Sequence, residues 1–280
     1  MPGQTITFTN PVTEYIYGDM NKQVHFKAKV QDGNRAENSD NWKVSSMGLE
    51  GGQLSDLKVD TTIVRELEED FVEVEGTVSF NARAAGAVQL SLSYSHTDDK
   101  SQIVYTDARA DLALQINQKK IGIENITFEE KVYDGTADVE IKSIRLTEKV
   151  IWTNDKGEPQ VDDVYATLKE GSLTAVNADE VATLGKETIN NLENAVSNPN
   201  YYIDTTNVGN FECEIKPRKL YLKVTEATRE YGKSGVYKGN GPKVELAAEE
   251  DLVQAGILEN VSWEDVKPLD GEKAPQINEI

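Results

Sequence analysis

Apolar and polar residues alternate with a period of two over several short runs. In residues 23–30, Val24, Phe26, Ala28 and Val30 share one face, and His25, Lys27 and Lys29 share the other. In residues 88–95, Val88, Leu90, Leu92 and Tyr94 alternate with Gln89, Ser91, Ser93 and Ser95. The same alternation runs through Leu112, Leu114 and Ile116, through Phe211, Cys213 and Ile215, and through Leu220, Leu222 and Val224. Successive side chains of a strand point to opposite faces, so each run predicts a strand with one wet and one dry face. Such strands belong to antiparallel sheets packed in pairs. Helical periodicity is scarce. Residues 249–258 predict a short helix, and residues 186–196 predict either a helix or a strand around Thr188–Leu192. The expected fold class is all-β.

A strand followed by a tyrosine turn recurs along the chain, at Tyr17-Gly18-Asp19, at Tyr133-Asp134-Gly135 and at Tyr231-Gly232-Lys233. Before the second and third turns, a clean strand ends in basic residues, at 112–120 and 211–219. These recurrences predict module boundaries near Lys119 and Pro217, giving modules 1–119, 120–217 and 218–280. A spacing of about a hundred residues suits β-sandwich domains rather than short solenoid repeats. Very short linkers imply stiff tandem packing, hence an elongated array. The last module is short, and its final stretch, KPLDGEKAPQINEI, carries Pro268 and Pro275 and few apolar residues. It reads as a tail or linker, so the third module is expected to be small or truncated.

The stretches KVYDGT, DDVYATLKEGSL, NPNYYID, NVGN and IKPRKL together resemble the YDG-type module of bacterial surface proteins. The matching positions are Lys131, Tyr133, Asp134, Gly135 and Thr136, then Asp162, Asp163 and Val164, then Asn200 and Tyr201, then Pro217. Residues 218–280 resemble the start of the related MBG (YGX-type) module, marked by Tyr231-Gly232. Residues 1–119 resemble an MBG-type or general bacterial Ig-like module through YIYGD and AGAVQLSLSYS. The resemblance implies tandem immunoglobulin-like β-sandwich modules on a secreted or wall-anchored bacterial protein. It implies adhesion, spacing or glycan contact, with host or matrix glycans or proteins and neighbouring modules of the same chain as partners. It brings no catalytic residues and no cofactor.

Charge narrows the partners. The chain of 280 residues carries a formal net charge of -20. It repels phosphate backbones and anionic membrane surfaces, so no nucleic-acid partner and no membrane insertion are expected. No segment is long and apolar enough for a transmembrane helix. The N-terminal MPGQTITFTNPVTEYIYGD lacks the basic and apolar runs of a signal peptide. The chain is then either cytoplasmic or a fragment of a longer secreted or cell-surface protein, and the resemblance favours the fragment. A single cysteine, Cys213, excludes an intramolecular disulfide. It falls on the dry face of its strand, where a thiol acts as a small inert hydrophobe.

The turn residues Tyr17, Gly18, Tyr133, Asp134, Gly135, Tyr231 and Gly232 are read as structural. Asp and Gly serve turn geometry, and each Tyr ring caps the edge of a core, with its hydroxyl bonding back to backbone. One tryptophan falls in each module: Trp42, Trp152 and Trp263. An exposed indole stacks on sugars, whereas a buried one anchors a sandwich core. Trp152 is the best exposed candidate, because TNDKGEP after it reads as a turn. The acidic clusters at Asp98–Asp99, Asp162–Asp163 and Glu249–Asp251 lack the spacing of a Ca²⁺ loop, and no metal site is expected. Histidine occurs at His25 and His96, neither near a nucleophile motif, and no enzyme is expected. The expected function is a non-catalytic spacer and interaction module. The alternatives are a carbohydrate-binding module or an ancillary region of a larger secreted enzyme. A carbohydrate binder would expose a row of aromatic rings, and a spacer would not.

Overall fold

The computed structural model describes residues 3–31, 36, 39–48, 52–68, 71–95, 108–154, 156–177, 180–206, 208–225, 228–229, 231–232, 237–238 and 243–270. His96, Asp98, Asp99, Lys233 and Pro275 lie outside them. The described chain is mostly strand, arranged in several sheets. No described helix is long and apolar enough to cross a membrane. The fold divides into two compact units. The first contains residues 1–123, 146–167 and 193–204, and the second contains 124–145, 168–192 and 205–280. Residues 146–167 and 193–204, which fall within the expected 120–217 module in sequence, are thus part of the first unit.

In the first unit, the alternating runs at 23–30, 88–95 and 111–117 become long strands, while the two longest strands, Leu54–Glu66 and Phe71–Ala82, arise from stretches that the alternation did not single out. β1 (Thr5–Phe8), β3 (Lys22–Gln31), β5 (Leu54–Glu66) and β6 (Phe71–Ala82) form an antiparallel sheet in the order β1-β3-β6-β5. β2 (Glu14–Ile16), β4 (Trp42–Gly48), β7 (Gly86–Tyr94) and β8 (Ala108–Asn117) form a second sheet in the order β2-β8-β7-β4. Within that sheet β2 runs parallel to β8, and the other pairs are antiparallel. The two sheets meet face to face. Phe26 of β3 packs on Trp42 of β4, and Tyr15 of β2 meets Phe80 of β6 edge-on at 5.0 Å between ring centroids. Val24, Phe26, Ala28 and Val30 are buried, as are Val88, Leu90, Leu92 and Tyr94. Shifting either strand by one residue would turn His25 or Ser91 inward, so the alternation specifies the register.

The unit continues past β8 into β9 (Lys119–Ile121), which pairs in parallel with β17 (Tyr201–Ile203). β13 (Ile151–Thr153) and β14 (Pro159–Val161) form an antiparallel ribbon closed by the Asn154 turn. There the Asn154 side-chain oxygen accepts from the Lys156 and Glu158 amides.

The second unit contains smaller sheets. β10 (Ile123–Phe128), β12 (Asp138–Leu146) and β15 (Glu170–Ser172) form one in the order β10-β12-β15. β11 (Lys131–Val132), β16 (Val181–Thr183) and β18 (Glu212–Lys216) form another in the order β11-β18-β16. β18 realises the predicted alternation, burying Cys213 and Ile215, and Phe211 just before it is buried as well. The segment with two readings folds as α1 (Lys186–Asn191) followed by a 3₁₀ turn. At the C-terminal end, β19 (Leu222–Val224) pairs with β22 (Val244–Leu246), and β20 (Thr228–Arg229) with β21 (Tyr237–Lys238). The predicted helix appears as α2 (Glu249–Gln254), and α3 (Trp263–Val266) follows it.

The β19 faces differ from the sequence expectation. Leu222 and Val224, assigned to a dry face, are 57% and 67% exposed. The ribbon has two strands and one covered side, and that side carries Tyr221 and Ala247 against a small core of Leu252 and Val266.

Candidate functional site

The three tryptophans were the candidate ligand platforms, and the fold uses all three in packing. Trp42, 5% exposed, lies between the two sheets of the first unit. Its ring centroid is 4.8 Å from that of Tyr94 and 5.2 Å from that of Phe26. Its indole N–H donates to the Ala36 carbonyl at 2.8 Å, which satisfies the one polar group of the ring. Trp263 is half-buried beside Ala247, Leu252 and Val266.

Trp152, the exposed candidate by sequence, is 9% exposed. Alternation along β13 explains this. Ile151 faces outward at 53% exposure, so its neighbour faces inward. The Arg83 guanidinium sits 3.9 Å from the Trp152 ring centroid, a cation–π contact that closes the outer face of the indole. The Trp152 N–H donates to Asp162 Oδ1 at 2.8 Å.

Asp162 is the centre of a cluster that the sequence did not assemble. The Tyr17 and Tyr201 hydroxyls both donate to Asp162 Oδ2, each at 2.6 Å. The Tyr201 oxygen in turn accepts from the Val150 amide at 2.8 Å. The Tyr17 ring meets Tyr201 and Trp152 edge-on, with centroids 5.3 and 5.7 Å apart. Gly18, with φ at +92°, completes the turn, and a Cβ there would lie 2.5 Å from Val150 Cγ2. Glycine is therefore required both for the turn and for the close approach of Val150. Burial, followed by the hydrogen bond to Asp162, pushes the Tyr17 hydroxyl up to about 12, and the same two causes raise Tyr201. Both phenols therefore remain neutral donors at physiological pH. Three donors on one carboxylate make a charge-assisted network rather than a reactive acid. The neighbouring Asp163 is exposed, as adjacent positions on an extended chain require.

The three tyrosine turns diverge. Gly18, Gly135 and Gly232 all have positive φ, at +92°, +72° and +82°. Their tyrosines differ: Tyr17 is 5% exposed, Tyr133 is half-buried and Tyr231 is wholly exposed. The hydroxyl-to-backbone bond expected of the turn tyrosines is made by Tyr15, which donates to the Val12 carbonyl at 3.1 Å. Tyr17 bonds to a side chain instead.

In the second unit, the turn at Asp134 is held from within. Buried Lys131 places its ammonium 2.8 Å from both Asp134 oxygens, and the Thr136 amide donates to Oδ1 at 2.8 Å. Partial burial raises the Asp134 pKa, but the bonds from Lys131 and Thr136 outweigh it and hold the carboxyl below its ordinary value. A concavity of about 670 Å³ adjoins this pair, lined by carboxylates that include Glu129, Glu140, Glu170 and Glu187. Among the described residues, no group of three or more His, Cys, Asp and Glu side chains is placed to hold a metal ion. Of the C-terminal acids, Asp251 accepts from Lys223 and, as the third residue of α2, reaches back to accept from the amide of the N-cap residue Ala248. Cys213 is 5% exposed, and burial pushes its thiol up. His25 lies on the exposed face of β3.

No protein-family model and no curated protein matches the chain. Among solved structures, a match is found to the N-terminal part of the bacterial S-layer protein SbsC. The match has 13% identity and a TM-score of 0.18, and covers 77% of this chain and 44% of that one. The chain thus spans less than half the length of that structure, and at this TM-score the likeness carries no argument about fold or role.

Proposed function

We propose that the chain is a non-catalytic structural part of a bacterial surface or secreted protein, built of immunoglobulin-like modules of the YDG and MBG kind. It acts as a spacer that also offers surface to neighbouring modules. The observation that supports a spacer over a glycan-binding module is the use of the indoles. Trp42 and Trp152 are buried, each with its N–H bonded inside the protein, and Trp263 packs on the small C-terminal core. Among the described residues, the exposed rings Tyr165, Tyr202 and Tyr231 come from three segments separate in sequence. A sugar platform needs aromatic faces free of protein packing. The motif residues carried by the resemblance, Asp134, Asp162 and Tyr201, are all engaged in internal hydrogen bonds, which suits a scaffold.

Calorimetric titration with neutral and acidic oligosaccharides tests this reading. No saturable heat is expected up to millimolar sugar, which corresponds to binding weaker than about 4 kcal/mol. Saturable binding that Tyr165→Ala or Tyr202→Ala abolishes would replace the spacer with a carbohydrate-binding module.

A further inference from the structure

We infer that Asp162 is a latch that fastens residues 146–167 and 193–204 onto the two-sheet body formed by β1–β8, so that all three open together. The two segments, together a strap on the body, are joined to each other by main chain. Ala166 bridges Val196, the Thr167 amide donates to the Ala195 carbonyl at 2.7 Å, and the Ser197 amide donates to the Tyr165 carbonyl at 2.8 Å. The segment 193–204 also has main-chain support from β9, through the β17 pairing and the Lys119 amide on the Asn200 carbonyl.

Residues 146–167 are held differently. The Thr147 amide reaches the Gly122 carbonyl at 2.9 Å near one end of the segment. Between that contact and the main-chain bridge at Ala166, attachment passes to side chains. Asp162 binds Tyr17 of the body and Tyr201 of the partner segment through one oxygen, and Trp152 of its own segment through the other. Val150 closes on Gly18, and Arg83 of the body covers Trp152. One carboxylate therefore joins three separate stretches of chain. Removing it leaves two phenol hydroxyls and an indole N–H to find new partners in a site where Tyr17 is 5% and Tyr201 1% exposed. A buried donor stripped of its acceptor keeps its full desolvation cost, and two of the three stripped donors, Trp152 and Tyr201, lie in the strap. The latch does not depend on the spacer role, because it concerns which segments open together.

Native-state hydrogen exchange on the full chain, read by peptide mass, tests the latch. In the wild type, peptides from 146–167 and 193–204 should be protected to within about tenfold of β3, β6 and β7 peptides, as members of one cooperative unit. In Asp162→Ala, protection of the strap peptides should fall by about a hundredfold or more, while the β3, β6 and β7 peptides change by less than about tenfold. Asp162→Asn, which keeps an acceptor oxygen but not the charge, should fall between the two. Three results would overturn the latch: strap peptides already exchanging about a hundredfold faster than the body in the wild type, no loss in Asp162→Ala, or an equal loss in strap and body. Should Asp162→Ala fail to fold, Tyr201→Phe carries the same readout, with the same selective loss in the strap expected and an equal or absent loss overturning the latch.

Discussion

The two-sheet body at the N-terminal end and the ribbon at the C-terminal end begin from the same sequence signals and finish differently. Each has an alternating strand, a tyrosine-glycine turn and one tryptophan. In the body, β3 is 10 residues long and its apolar face meets a second sheet, so Trp42 is enclosed between Phe26 and Tyr94. In the ribbon, β19 is 3 residues long and pairs with one strand. Its covered side reaches a core of three buried residues, Ala247, Leu252 and Val266, and its other side leaves Leu222 and Val224 in water. The turns follow their surroundings: Tyr17 is buried against a carboxylate, and Tyr231 is wholly exposed. Alternation thus marks a face as able to be dry, but a second layer is what makes it dry.

The largest difference between the two regions should appear in their tryptophans. Trp42→Ala opens a cavity between two sheets and should cost about 3–5 kcal/mol, read from denaturant unfolding of the first unit. Trp263→Ala removes a half-buried ring from a small cluster and should cost about 1–2 kcal/mol, read from amide exchange in α2 and α3. Equal costs would mean that the ribbon core is as consolidated as the body.

The tyrosine turns should separate next. Tyr17→Phe removes a charge-assisted hydrogen bond and should cost about 1–2 kcal/mol. Tyr231→Phe, at a fully exposed ring, should stay within about 0.5 kcal/mol of the wild type. Urea midpoints of the two variants, measured side by side, check this. A silent Tyr17→Phe would reduce the Asp162 cluster to a packing contact.

The smallest expected effect is an alkaline one. Folding raises the Tyr17 hydroxyl from 10.0 to about 12 and raises Tyr201 in the same direction. The unfolded chain releases these protons first, so their contribution is complete below about pH 10 and declines as the pH climbs towards the folded values. Melting temperature followed from pH 8 to pH 11.5 should fall more steeply in the wild type than in Tyr17→Phe. Parallel slopes would show that Tyr17 titrates normally.

Several strands, and which of their residues share a face, were legible because a period of two is a local property. That Val24, Leu90, Ile116 and Cys213 each lie on the apolar face of a strand requires no knowledge of any distant residue. The turn glycines were legible for a related reason, since positive φ at Gly18, Gly135 and Gly232 is set by four-residue geometry. Trp152 was harder to place. The turn after it pointed to exposure, but the alternation with Ile151 decided its direction, and Arg83 closed what remained open. A β-ribbon has an inner side only once something is packed beneath it.

By itself the sequence determined a mostly β chain with a strongly acidic composition, a thiol on the apolar face of a strand and glycine turns at set places. These follow from side-chain period, charge count and backbone sterics, each acting over a few residues. Only the tertiary structure decided which dry faces are covered, and that Tyr17 bonds to a carboxylate 145 residues away. It also decided that Tyr201 and Trp152 share that carboxylate. The physical reason is the range of the interaction. A hydrogen bond of 2.6 Å is satisfied by whichever acceptor the packed sheets bring within reach, and nothing in the neighbourhood of Tyr17 along the chain specifies that acceptor.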